Sequence, residues 1–101
     1  MTSVFTKIIN GELPARFVYK DDKVVSFLTI NPVTPGHLLI VPIKEVDHWV
    51  DLDMKTIDHI MKVAQKLSAV LMKCFDSERI GLEIAGFEVA HAHIHLIPAN
   101  S

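Results

Sequence analysis

The chain has 101 residues, half of them apolar and 22% charged, with 10 lysines and arginines against 12 acids and a formal charge of −2. That length fits one domain with one core, about 13 Å in radius of gyration, and is too short for a (β/α)8 barrel of about 250 residues or for a two-domain dinucleotide enzyme. The apolar fraction argues against disorder, the charge balance against a nucleic-acid surface, and the single Cys74 against a disulfide framework or a cysteine-rich zinc knuckle.

Val4, Phe5, Ile8 and Ile9 are spaced for a short helix that Asn10-Gly11 ends. Arg16–Lys20 reads as a strand and Asp21-Asp22 as a turn. Val24, Val25, Phe27, Leu28 and Ile30 predict a second strand, apolar on both faces. Two prolines and a glycine make Asn31–Gly36 a loop, and Leu38–Pro42 a third strand follows. Asp53 is positioned to cap the main helix. There Ile57, Ile60, Met61, Ala64, Leu67, Leu71 and Phe75 form one apolar stripe, opposite Lys55, Asp58, Lys62, Lys66 and Lys73. Arg79–Ile84 predicts a fourth strand, Ala85-Gly86 a turn and Glu88–Pro98 a fifth strand. Short connections favour antiparallel pairing, and one long helix can cover one sheet face, so the chain predicts a single α+β two-layer domain over residues 1–101. The second face needs solvent, the short helix or another chain against it. The start MTSVFTKIING lacks a long apolar run behind basic residues, and no stretch reaches about 18 apolar residues. A cytoplasmic protein with no membrane and no nucleic-acid partner is therefore the expectation.

The segment Val89-Ala-His91-Ala-His93-Ile-His95-Leu-Ile-Pro98 carries three of the six histidines. Strand alternation puts His91, His93 and His95 on one face and Ala90, Ala92, Ile94 and Leu96 on the other, in the core. His48 and His59, met singly, read as ordinary polar groups. A strict alternation of three does not. Two chemistries fit it. As metal ligands, the three imidazoles would need a further donor, with Glu88, Glu83 and His37 as candidates. As phosphate chemistry, the central imidazole would be a nucleophile and its neighbours would position it and donate to phosphate oxygens. An imidazole of ordinary pKa is largely neutral at pH 7 and needs no metal to attack phosphorus. The segment Phe27–Pro42, with its proline-rich loop running into His37, reads either as a pocket wall or as a simple connection.

His91-x-His93-x-His95 followed by two apolar residues resembles the signature of the histidine triad (HIT) superfamily. The stretches Phe5–Pro14 (FTKIINGELP) and Asn31–Pro42 (NPVTPGHLLIVP) resemble the same family, in the same order and spacing. The resemblance implies a five-stranded antiparallel sheet with one long and one short helix. It also implies a homodimer, and hydrolysis or transfer of a nucleotidyl group from a nucleoside phosphoramidate or dinucleoside polyphosphate. A purine nucleotide would be the substrate and no cofactor would be needed. By position, His93 would carry the nucleotidyl group, His91 and His95 would contact the phosphate, and His37 would support the triad. Phe27, Thr29, Asn31, Glu83 and Phe87 would contact the nucleotide.

The match has departures. Thr29 stands where the family commonly has an aspartate for the ribose hydroxyls, and Phe87 where it commonly has a glutamine for the phosphate or leaving group. Glu83 lies near the position of a usual asparagine. The N-terminal cysteines that hold zinc in some members are replaced, the stretch reading Phe5-Thr6-Lys7. Only six residues follow His95, so leaving-group selection would fall to the core, to a second subunit or to a segment outside this chain. A nucleotide- or partner-binding module with little turnover is therefore the alternative, with a metal protein using the three histidines as the third reading. Against the third, no glutamate follows the histidines as in a cupin-like site; the chain continues Leu96-Ile-Pro-Ala-Asn-Ser101.

Overall fold

The computed structural model of the protein describes residues 2–100. Ser3 accepts the Thr6 N–H on its side-chain oxygen and starts α1, Val4–Ile9, which Asn10 ends and Gly11 follows at φ +82°. The strands are β1 (Phe17–Lys20), β2 (Val24–Leu28), β3 (Leu38–Pro42), β4 (Arg79–Glu83) and β5 (Ile94–Ala99). Helix α2 runs over Met54–Cys74, and the Asp53 carboxylate accepts the Thr56 N–H at 2.7 Å, as the capping position predicts. A 3-10 turn over Trp49–Asp51 precedes it inside a stretch the sequence marks only as polar.

All four strand pairings are antiparallel and the spatial order is β1-β2-β3-β5-β4. This is the predicted α+β architecture, and the Cα radius of gyration is 12.9 Å. Each sheet face has its own apolar cluster. On one face, Ile60, Val63, Ala64 and Leu71 of α2 pack on Val24, Leu38, Ile40, Ile94 and Leu96. Ile40, Ile94 and Leu96 are fully enclosed, each contributing roughly 1.5–3 kcal/mol by burial. On the other face, Phe5 of α1 covers Val25, Phe27, Leu39 and Val41. The short helix thus provides the second cover that a small domain needs.

The structure differs from the sequence reading in several places, with β1 starting at Phe17 and Phe75 of the expected stripe exposed. Met61 is half-exposed and Val63 is buried, because Met61 lies about 100° around the helix from Ile60, at the flank of the stripe. Strand β2 stops at Leu28: the Thr29 hydroxyl accepts the Asn31 N–H, which bends the chain, and Ile30 is 92% exposed. Strand β4 stops at Glu83. Strand β5 begins at Ile94, not at residue 88, so Ala85-Gly86 is part of a loop over residues 84–93 and not a tight hairpin turn. The backbone groups of that loop are used elsewhere, the Ala92 N–H by the Val46 carbonyl at 2.7 Å and the His91 carbonyl by the ring of His93 at 2.8 Å, so they cannot extend the ladder. Ala90 is correspondingly exposed, while Ala92, Ile94 and Leu96 are buried as alternation predicts.

Candidate active site

The α1 face of the sheet holds a cleft of about 970 Å³, within the range of a small-molecule site. Its floor comes from Phe27 and Leu39, its walls from α1 and from the loop after β2, and His37, His93 and His95 stand at one end. Phe5 meets the His93 ring edge-on at 4.8 Å, and the His93 and His95 rings lie 5.0 Å apart.

The hydrogen bonds assign the protons on these rings. Backbone carbonyls only accept, so His93 Nδ1–H donates to the His91 carbonyl at 2.8 Å and the lone pair remains on Nε2. The Val33 N–H donates to His37 Nδ1 at 3.1 Å, which places the proton of neutral His37 on Nε2. That proton is donated to His95 Nδ1 at 2.9 Å, so neutral His95 carries its own proton on Nε2. The cleft end therefore presents a bare nitrogen, His93 Nε2, beside an N–H donor, His95 Nε2. Burial pushes the pKa of His37 and of His95 below the ordinary histidine value, and the neighbouring imidazoles add to this at His95. Burial lowers His91 likewise.

These shifts predict acid sensitivity. The three imidazoles resist protonation in the fold and accept it in the unfolded chain, so the unfolded state binds more protons once the pH falls below the ordinary histidine pKa of about 6.5. Stability is expected to be level above that pH and to fall progressively beneath it. Urea midpoints measured between pH 8 and pH 5 check this; a midpoint unchanged down to pH 5 contradicts it.

His91 lies elsewhere than its predicted place at the phosphate. It is 0% exposed and lines no part of the cleft, and both ring nitrogens are taken: Nε2 donates to the Pro42 carbonyl at 2.7 Å, and Nδ1 pairs with the Ser3 hydroxyl at 2.7 Å. The triad thus divides, with His93 and His95 at the cleft and His91 beneath it. Among the described residues no three His, Cys, Asp or Glu side chains converge in a way that could hold a metal ion. Phe27, Thr29 and Asn31 line the cleft, whereas Glu83 and Phe87 do not, and Phe87 is 94% exposed. Glu83 pairs in register with His95 at the end of β4.

The sequence reading missed Phe5, Arg16 and Leu13 as cleft residues, and took Glu88 only as a metal candidate. An apolar helix too short to carry its own core was the available signal for Phe5; for Arg16 there was none. His59 and His48 have structural roles. His59 Nε2 meets Asp21 at 2.6 Å, tying α2 to the β1–β2 turn, and His48 Nδ1 accepts the Val50 N–H.

A sheet of this order, with three alternating histidines and the middle one held by the carbonyl two residues before it, matches the histidine triad class. The family model described as the HIT domain matches residues 10–101, and the chain belongs to the HIT family. It is 41% identical over 102 residues to an uncharacterized HIT-like protein of Borreliella burgdorferi, covering 94% of this chain and 73% of that one. Among solved structures it resembles a HIT-like protein involved in cell-cycle regulation from Bartonella henselae. That match has a TM-score of 0.93 at 32% identity, covering 99% of this chain and 81% of the other. A HIT family hydrolase from Legionella pneumophila matches with a TM-score of 0.86 at 30% identity, covering 99% and 95%.

Proposed function

We propose that this protein cleaves a nucleoside 5′-phosphoryl bond through a nucleotidyl-histidine formed on His93. The observation that carries this reading is the pairing of an unprotonated His93 Nε2 with a protonated His95 Nε2 at one end of the cleft. The substrate class is a nucleoside phosphoramidate or a dinucleoside polyphosphate, with the purine against the apolar end of the cleft near Phe27. The His93 Nε2 lone pair attacks the α-phosphorus. A P–N bond forms, the bond to the amine or phosphate leaving group breaks, and the His95 Nε2 proton is positioned for that departing atom or for a phosphoryl oxygen. Water then attacks the same phosphorus, giving a proton back to His95 Nε2, and the P–N bond to His93 breaks, its electron pair returning to His93. The nucleoside monophosphate leaves. The name of the Legionella neighbour, a hydrolase, supports this reading.

Acid quenching is unsuitable for a phosphoramidate, so the test is a rapid alkaline or denaturant quench during turnover of adenosine 5′-phosphoramidate, followed by intact mass. A protein heavier by one adenylyl group, with the label on the peptide containing His93, is expected. Binding without turnover or adduct would instead favour the binding module. Thr29, a hydroxyl already engaged by the Asn31 N–H, and the outward Phe87 are the observations on that side.

The protein is further proposed to be a cytoplasmic homodimer; no helix among the described residues is long and apolar enough to cross a membrane. Strand β4 is an edge strand, and Leu82 on it lies with Met61 and Met72 of α2 beside a shallow groove, all three at least 39% exposed. Such an edge invites sheet continuation by a second copy. Sedimentation at micromolar concentration is expected to give twice the chain mass, and Leu82→Glu to shift it toward the monomer. A wild-type monomer mass would count against the dimer.

A further inference from the structure

The hydrogen bonds around His91 form a network that the cleaving reaction described above leaves unused. Glu45, in the turn after β3, accepts the Ser3 N–H at 2.8 Å and the Thr6 hydroxyl at 2.6 Å. These two donors hold the Glu45 carboxyl below its ordinary pKa range, as expected of a carboxylate kept charged. The Thr6 hydroxyl hydrogen is thereby spent. Thr6 Oγ1 lies 3.5 Å from His91 Nδ1, but it has no second hydrogen to offer; the Ser3 hydroxyl has one, and it lies closer to His91 Nδ1 (2.7 Å) than to Thr6 Oγ1 (3.4 Å), so Ser3 is the donor to that nitrogen. On the opposite side of the ring, the Pro42 carbonyl accepts only. His91 is therefore clamped between a donor and an acceptor, in the neutral form with its proton on Nε2.

We infer that Ser3 is a positioning residue for His93, acting through His91. The carbonyl of residue 91 is the acceptor that keeps the His93 proton on Nδ1 and leaves Nε2 bare. That carbonyl belongs to a loop without ladder partners, and its residue is fixed by its buried ring. Ser3 clamps the ring, Glu45 and Thr6 hold Ser3, and Phe5, between them in sequence, packs on both His91 and His93. One turn of α1 thus controls the ring position and the tautomer of the nucleophile. Partners that fix a histidine's ring and tautomer commonly affect activity by tenfold or more in metal sites, and the same logic applies to an imidazole nucleophile.

The catalytic part of this inference rests on the proposed nucleotidyl transfer; the ring protonation does not, and the two are read separately. Nitrogen-15 NMR of the histidine rings is expected to show His91 protonated on Nε2 and His93 on Nδ1 in the wild-type protein. Ser3→Ala should loosen the His91 ring, shifting the His91 and His93 signals and admitting a second tautomer at His93 while the Pro42 carbonyl still holds the His91 proton on Nε2, and should lower kcat on adenosine 5′-phosphoramidate by about tenfold with little change in KM. Ser3→Thr, which restores a hydroxyl, should return both readings to near wild type. If Ser3→Ala does not fold, Ser3→Asp keeps the helix cap but offers only acceptors, and should drive a proton onto His91 Nδ1. Unchanged His91 and His93 signals in Ser3→Ala, or a neutral Nε2–H His91 in a folded Ser3→Asp, would overturn the inference. Absent turnover in wild type, with the ring signals responding as expected, would sink the proposed reaction and leave the clamp standing.

Discussion

His93→Ala is expected to lower turnover of adenosine 5′-phosphoramidate by about 10^4-fold or more, the scale of losing a nucleophile, and to abolish the adenylyl adduct. The rest of the cleft is untouched by the change. Phe27, Thr29, Asn31 and His95 all line it independently of the His93 ring, so nucleotide affinity measured by calorimetry should fall only a few-fold. The stability cost has two sources. The His91 carbonyl loses its donor, and Phe5 loses the ring it meets edge-on at 4.8 Å. Together these are worth about 1–3 kcal/mol, which a domain of this size tolerates. The separation of effects is the useful result, because a variant that binds and folds but does not turn over assigns chemistry to His93 and not merely shape. A His93→Ala protein as active as wild type would refute the assignment. Added imidazole offers a second reading. It can enter the vacated space and attack phosphorus in place of the side chain, and partial rescue that saturates with imidazole concentration is expected.

Gly36→Ala is expected to destabilise the protein by about 2–3 kcal/mol. Gly36 has φ +87°, in the left-handed region, where an L side chain costs about 1–2 kcal/mol. A Cβ there would also lie 2.7 Å from two atoms of the Phe75 ring, at the C-terminal end of α2. Phe75 is partly exposed, so the ring can be displaced, at a further cost of order 1 kcal/mol for lost packing. A double-mutant cycle isolates that part. In a Phe75→Ala background the penalty for Gly36→Ala should shrink toward the conformational cost alone. Equal penalties in the two backgrounds, read from denaturant midpoints, would show that the ring is not the obstacle. The position bears on the site because Gly36 immediately precedes His37, the ring that donates to His95. Loss of activity beyond the loss of folded protein is therefore expected as well.

Much of this protein was legible in its residues alone. The strands β1 to β4, the Asp53 cap, the long helix and the alternation of His93 and His95 with Ile94 and Leu96 follow from local periodicity and capping. These are properties of neighbours in sequence, and tertiary packing reinforced them. The triad, with the stretches around Phe5 and Asn31, also carried the family. What stayed hidden depended on groups far apart in the chain. The extent of β5 was one: residues 88–93 have strand-like alternation, but their backbone groups are claimed by Val46 and by the ring of His93. The role of His91 was another. Alternation assigns it the same face as His93, and only the meeting of Ser3, Pro42 and residue 91 shows its nitrogens both occupied. Phe87 fell outside the cleft for the same reason, since the course of a loop is set by its distant partners; Glu83 lies outside it at the end of β4, in register with His95.

With 101 residues and one cysteine, this chain has no disulfide framework to draw on and must cover both faces of its sheet with little material. The residue pattern then determined the sheet, the long helix and the alternation that sets His93 between its neighbouring histidines. Only the tertiary structure decided which nitrogen of that histidine is bare. A side-chain tautomer is set by the partners that surround the ring, and here those partners come from α1, from the carbonyl of residue 91 and from His37 through His95.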